Sequence, residues 1–173
     1  MALVFQYGCN ASSGRLNSAK RLDGAARVVG LARTQDSFDL SFTHFSGCNQ
    51  CATADLVRNG SRPIYGVLYE IPDNRIYRSC SAGLKTLDEI EGECSAYCRR
   101  PISVVMAAPP HDSYEAITYI VKSPSADLRT SAEYVAHIIR GLREHDAPDE
   151  YVSYVKERAI DNNPDLANEL KDL

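Results

Sequence analysis

The stretch DSFDLSFTHF, residues 36–45, alternates without a break: Phe38, Leu40 and Phe42 fall on one face, Asp39, Ser41 and Thr43 on the other. A period of two residues marks a β-strand with one buried and one wet face. Strand-like runs recur on both sides of it, at Leu3 to Phe5, in ARVVGLA (26–32), after the loop FSGCNQCATAD (45–55), in IYGVLYEI (64–71), PISVVMA (101–107) and YEAITYIV (114–121). Asn59, Gly60 and Pro63 supply the turn between two of them. Gly66 sits inside a strand, where a bulge or a close neighbour must require it. Only NRIYRSCSAGLKTLDEIEG (74–92) interrupts the strands with helical spacing, placing Ile76, Cys80, Leu84, Leu87 and Glu91 along one side and Gly92 as the cap, although Gly83 weakens a continuous helix. The last third differs. TSAE, Thr130 to Glu133, has capping-box spacing and opens a helix through Arg143 with Ile138, Ile139 and Leu142 inward; Asp146 and Pro148 open another through Ala159, and a turn follows Pro164. One helix among six or so strands is not a regular βαβ series, so the expected class is α+β, a small curled antiparallel or mixed sheet with helices against it.

The totals agree with one soluble domain spanning 1–173. A net charge of -4 with no basic block argues against a nucleic-acid surface. No basic segment precedes the first apolar run, which breaks at Gln6, and no run reaches membrane-spanning length; a cytoplasmic protein with reduced cysteines is expected.

Two stretches carry possible chemistry. VFQYGCN (4–10) leaves a strand through Gly8 and Asn10 and leads past Ser12 and Ser13 into a short helix through SGRLNSAK. Exposed backbone N–H groups in such a loop can hold a carboxylate or phosphate, though an ordinary strand exit has the same composition. Glu91 falls on the apolar side of its helix, while Asp88 and Glu89 are expected to face water. A buried carboxylate acquires a raised pKa suited to a general base; a solvated helix-end residue is the alternative. Cys48 and Cys51 form a CxxC pair and Cys94 and Cys98 a looser one, spacings too irregular for a zinc site, and ordinary reduced thiols are expected. The four histidines show no ligand spacing, and nucleotide and hydrolase fingerprints are absent. No metal or cofactor is expected. Tyr97, Tyr119 and Tyr134 gain interest only if they reach the pocket of Glu91.

YGCN after the first strand, YGVLYEIP in the middle, LDEIEG ahead of AYCRRPISV, and the ending SAEYVAHIIRGLREHDAPDEYVSYVKERAI together resemble the gamma-glutamylcyclotransferase family. The resemblance covers nearly the whole chain through motif order. It implies a small β-barrel-like core with surrounding helices, two of them C-terminal, and a cavity at the barrel mouth. Tyr7, Gly8, Cys9, Asn10 and Ala11 would supply main-chain donors for a gamma-glutamyl end; Glu91 matches the catalytic glutamate before glycine; Tyr97 and Tyr134 match tyrosines that contact substrate. Cys9 stands where the family usually has serine, the segment Arg75–Ala82 is longer than usual, and the Cys48–Cys51 loop departs from the pattern. The implied activity is cyclisation of a small-molecule gamma-glutamyl compound, releasing 5-oxoproline and an amino acid or amine, an acyltransferase or lyase step of glutathione metabolism. The alternatives are a gamma-glutamylamine cyclotransferase and a non-catalytic binding or regulatory relative. A homodimer stays open.

Overall fold

A computed structural model describes residues 1–171 and 173. Its seven strands are β1 (Ala2–Gln6), β2 (Arg27–Thr34), β3 (Phe38–Ser46), β4 (Cys51–Arg58), β5 (Tyr65–Ile71), β6 (Tyr97–Met106) and β7 (Ser113–Val121). Five of them close a barrel in the order β1-β5-β2-β6-β7, and β3 with β4 forms a separate hairpin. The barrel is mixed: β1 runs antiparallel to β5 but parallel to β7, which it meets at Val4 and Ile117. Side chains reinforce that closure, with the Thr118 hydroxyl donating to the Phe5 carbonyl (2.9 Å) and the Tyr7 hydroxyl to the Tyr119 carbonyl (2.6 Å). The expected α+β class with a curled, barrel-like sheet is the one observed.

Phe38, Leu40 and Phe42 are buried as their alternation requires. Its partner β4 shows no alternation, because Cys51 to Leu56 are all buried. Gly66 has its close neighbour: a Cβ there would stand 2.6 Å from the Gln6 carbonyl oxygen and 2.8 Å from the Phe5 ring.

The helical stretch 74–92 is three short pieces, α2 (Asp73–Ile76), a 3₁₀ turn (Arg78–Cys80) and α3 (Leu87–Glu91). Ala82 and Gly83 both take positive φ (46° and 83°), which no helix accommodates, and Cys80 and Leu84 lie exposed, so the apparent apolar side does not exist. Instead α3 begins at its own capping box, Thr86 with Glu89, and ends at Gly92 in the left-handed conformation. The helix expected through SGRLNSAK is also short. After a 3₁₀ turn at Cys9–Ala11, α1 covers Ser13–Leu16, and the Asn17 side chain then pins a loop by bonding both the carbonyl and the amide of Ala26 (2.9 Å each). Ser12 caps nothing with its side chain; its hydroxyl donates to Glu144.

The two C-terminal helices are α4 (Ala132–Glu144) and α5 (Asp149–Asn162). The α4 cap is Ser131, one residue later than the TSAE spacing suggests, because the Thr130 amide is already taken by Asn162 (2.7 Å). At α5 the cap position is Pro148, with Asp146 left outside at a positive φ of 58°. Ile138, Ile139 and Leu142 enter the core as expected. No helix among the described residues is long and apolar enough to cross a membrane.

Helix α4 crosses directly over the loop that follows β1. A Cβ on Gly141 would lie 2.2 Å from the Ser12 nitrogen and 2.3 Å from the Ala11 carbonyl carbon, both backbone atoms that cannot swing aside. Gly141→Ala should therefore cost about 1–3 kcal/mol in denaturant unfolding and speed amide exchange at residues 9–12, despite the better helix propensity of alanine. Unchanged stability and exchange would show that α4 does not hold this loop.

Candidate active site

Four segments converge at one end of the barrel: the loop after β1, the C-terminus of α3, the start of β6 and the first turn of α4. They enclose a cavity of about 30 Å³ against Gly8, Cys9, Asn10, Glu91, Tyr97 and Tyr134, which opens into a neighbouring one of about 170 Å³ sharing most of those walls. Tyr119 also lines the inner cavity, so all three tyrosines reach the pocket of Glu91.

Glu91 is half-buried at the last residue of α3. Its Oε1 accepts a 2.8 Å hydrogen bond from Asn10 Nδ2, and the Asn10 oxygen accepts in turn from Arg21 Nη1 (2.8 Å). Loss of water around the carboxyl pushes its pKa above the ordinary value, opposed by the Asn10 bond, Arg21, Gln6 and Arg15. The Gln6 amide stands beside Glu91 at the inner cavity, and its buried Nε2 makes no hydrogen bond of regular geometry. The amides of Gly8, Cys9 and Asn10 meet no acceptor among the described residues, as expected of the first residues of a helical turn.

The remaining loop residues divide by task. Tyr7 spends its hydroxyl on the Tyr119 carbonyl. Ala11 stands outside both cavities, its amide bound to Gly8 O and its carbonyl accepting from Tyr69 (2.9 Å each). Burial pushes the Cys9 thiol up, which keeps it neutral. Tyr97 and Tyr134 grip one residue of β4 from two sides: Tyr97 donates to Ala54 O (3.0 Å), and Tyr134 accepts from Ala54 N (3.0 Å). The Tyr134 hydroxyl keeps its own proton without an acceptor among the described residues, 3.3 Å from where a Cβ on Gly8 would sit.

Asp88 does not face water. It is buried, and its carboxylate binds Arg99 Nη1 (2.6 and 2.7 Å), the Tyr119 hydroxyl (2.7 Å) and the Arg78 amide (3.2 Å). One helical turn before Glu91, it ties α3 to β6 and β7. Glu89 is exposed as expected. Arg21, Gln6 and Ala54 are functional neighbours that sequence reasoning missed. Arg21 follows a loop whose course depends on Asn17, and Ala54 acts through its backbone, so neither leaves a side-chain pattern. Cys48 is exposed on the hairpin turn and Cys51 buried in β4, and all six cysteines are free.

A family model described as the AIG2-like family matches residues 63–155, the span that carries Glu91, Tyr97 and Tyr134. The chain belongs to the AIG2-like family. Among solved structures it is similar to one titled gamma-glutamyl cyclotransferase, at TM-score 0.74 and 22% identity, covering 90% of this chain and 86% of the other. The human protein loc79017 matches at TM-score 0.73 and 23% identity over 90% and 86% of the two chains. YkqA from Bacillus subtilis matches at 0.70 and 23%, over 91% of this chain and 54% of its own. No match is found among curated proteins. At these identities the structural matches establish a shared gamma-glutamylcyclotransferase-like fold.

Two measurements test this geometry. Asp88→Asn should lower stability by about 1.5–3 kcal/mol, the worth of hydrogen bonds to a charged group, whereas Glu89→Gln should cost under about 1 kcal/mol by weakening a cap. Equal costs would contradict the buried clamp. Because the folded-state pKa of Glu91 is raised, the stability it contributes is fully present below the unfolded carboxyl value and is lost as pH rises through the folded value. The melting temperature of Glu91→Gln should therefore gain on the wild type as pH rises above about 4. A difference that does not vary with pH would mean the carboxyl is not desolvated.

Proposed function

We propose that the protein cyclises a gamma-glutamyl compound to 5-oxoproline. The observation that carries this reading is a desolvated carboxyl, Glu91, held by Asn10 at 2.8 Å beside a loop with unengaged backbone amides. Those amides and the Gln6 Nε2 bind the substrate's α-carboxylate. The substrate's α-amine nitrogen then attacks its own γ-carbonyl carbon, so proximity replaces a protein nucleophile. Glu91 takes a proton from that amine and returns it to the leaving nitrogen as the amide C–N bond breaks. The Tyr134 hydroxyl, fixed by Ala54 and with its proton unspent, is the donor for the oxygen that gains negative charge. Burial pushes both Tyr97 and Tyr134 well above the ordinary phenol value, which keeps them neutral donors. The neutral Cys9 thiol is no nucleophile, and its amide serves where the family usually carries serine.

The outer cavity bears on the leaving group. Arg21, His44, Ser46 and Asn49 line it, a polar wall with one cation. Such a wall suits a leaving amino acid, whose carboxylate pairs with arginine, better than a bare amine.

Incubation with a panel of gamma-glutamyl amino acids and gamma-glutamylamines, with detection of 5-oxoproline, tests the activity. Glu91→Gln keeps the shape and removes the base, so substrate should still bind while cyclisation slows by roughly 10²–10⁴-fold. Normal turnover in that variant would remove Glu91 from the mechanism; ligand binding with no 5-oxoproline from any compound would favour a binding protein.

A further inference from the structure

A further cleft lies apart from the Glu91 cavities and shares no residue with them. It measures about 390 Å³ and runs between the start of β5, the end of β2 and the first turn of α5. Arg33, Arg62, Tyr65 and Tyr151 line it, with Pro63 and Pro148 as apolar sides. On a chain of net charge -4, two arginines face one cleft, and neither forms an ion pair among the described residues.

The arginines are not idle for want of order. The Arg62 guanidinium lies 4.4 Å over the Tyr154 ring, and that ring is itself fixed because its hydroxyl accepts from the Leu40 amide (3.0 Å). The backbone around Arg62 is pinned by its carbonyl, which accepts from Phe38 N (2.8 Å). The acid of that turn, Asp39, is spent on Ser61, whose amide and hydroxyl both donate to it. Arg62 Nε is nevertheless buried without an acceptor. Tyr151 supplies an independent sign. It is 97% buried by its 3% exposure, and its hydroxyl has no partner within hydrogen-bond geometry. The Tyr65 backbone beside it offers at most a donor, so the phenol proton stays uncommitted. Two desolvated donors lining one cleft are costly unless something accepts from them. Glu150 lines the cleft too but is exposed and bonds to neither.

We propose that this cleft is a second small-molecule site, which takes an organic anion through a carboxylate or phosphate group. Arg33 and Arg62 supply charge, Tyr151 donates its hydroxyl proton, and a flat body rests on Tyr65 between the two prolines. The volume suits a metabolite-sized ligand. The site shares no wall with the Glu91 pocket, so its occupancy and the proposed cyclisation are separable.

Calorimetric titration of the full chain with phenyl phosphate, benzoate and inorganic phosphate tests this. Saturable binding of one phenyl phosphate or one benzoate is expected, tighter than inorganic phosphate, and whichever binds tighter identifies the head group. Arg62→Gln and Arg33→Gln should each weaken it about ten- to a hundredfold, and Tyr151→Phe several-fold, while Glu91→Gln leaves it unchanged. Melting curves show which variants fold, and either arginine variant suffices. Absence of saturable binding by all three probes overturns the proposal, as does binding that survives both arginine replacements.

Discussion

Closure of the barrel by β1 is the constraint on which the site depends. A central strand flanked by β5 on one side and β7 on the other has no free edge, so the residues that leave it must emerge at the rim in one fixed place. The bonds at Thr118 and Tyr7 lock that exit to β7. From there the 3₁₀ turn at Cys9–Ala11 is pressed by α4 at Gly141, and its first amides are left without an acceptor among the described residues. Were β1 an edge strand, the same loop sequence would have no defined partner.

The site works by unequal desolvation. Two carboxylates three residues apart on α3 receive opposite treatment: Asp88 is surrounded by donors, one of them Arg99, and Glu91 has a single direct amide donor with its cations held at one remove through Asn10. The first fixes position. The second is pushed up by burial, the direction that proton transfer near neutral pH requires. A third buried acid, Asp55, binds Thr43 and the Val121 amide and so ties the β3–β4 hairpin to the barrel, although burial pushes its pKa up as it does that of Glu91.

How far this was legible follows the range of each interaction. Strand alternation at Phe38–Phe42, the crowded Gly66 and the inward face of α4 were readable, because each is written in local spacing or in one residue type. The stretch 74–92 was misread because Ile76, Cys80, Leu84 and Leu87 mimic a helical stripe while Ala82 and Gly83 take backbone angles that only the surroundings dictate. Asp88 looked wet since its partners Arg99 and Tyr119 lie on distant strands. Glu91 and the loop from Tyr7 to Asn10, which the fold brings to one cavity, were singled out through motif order; Arg21 and Ala54 reach it through another side chain and through the backbone, and no spacing announces them.

The β3–β4 hairpin has a consequence beyond its role as a wall. It is an excursion of the chain between two strands that pair directly with each other, β2 and β5, so the barrel's hydrogen-bond circuit never passes through it. His44, Ser46, Asn49 and Thr53, on one side of the outer cavity, belong to this excursion, while Arg21, Glu91 and the β1 loop belong to the barrel and the segments attached to it. The polypeptide thus builds the two sides of one cavity from separate parts of the chain, joined where Ala54 is held by Tyr97 and Tyr134. Length can vary at the hairpin turn, residues 47–50, without breaking the barrel's circuit, whereas Ala54 and Asp55 are tied to it.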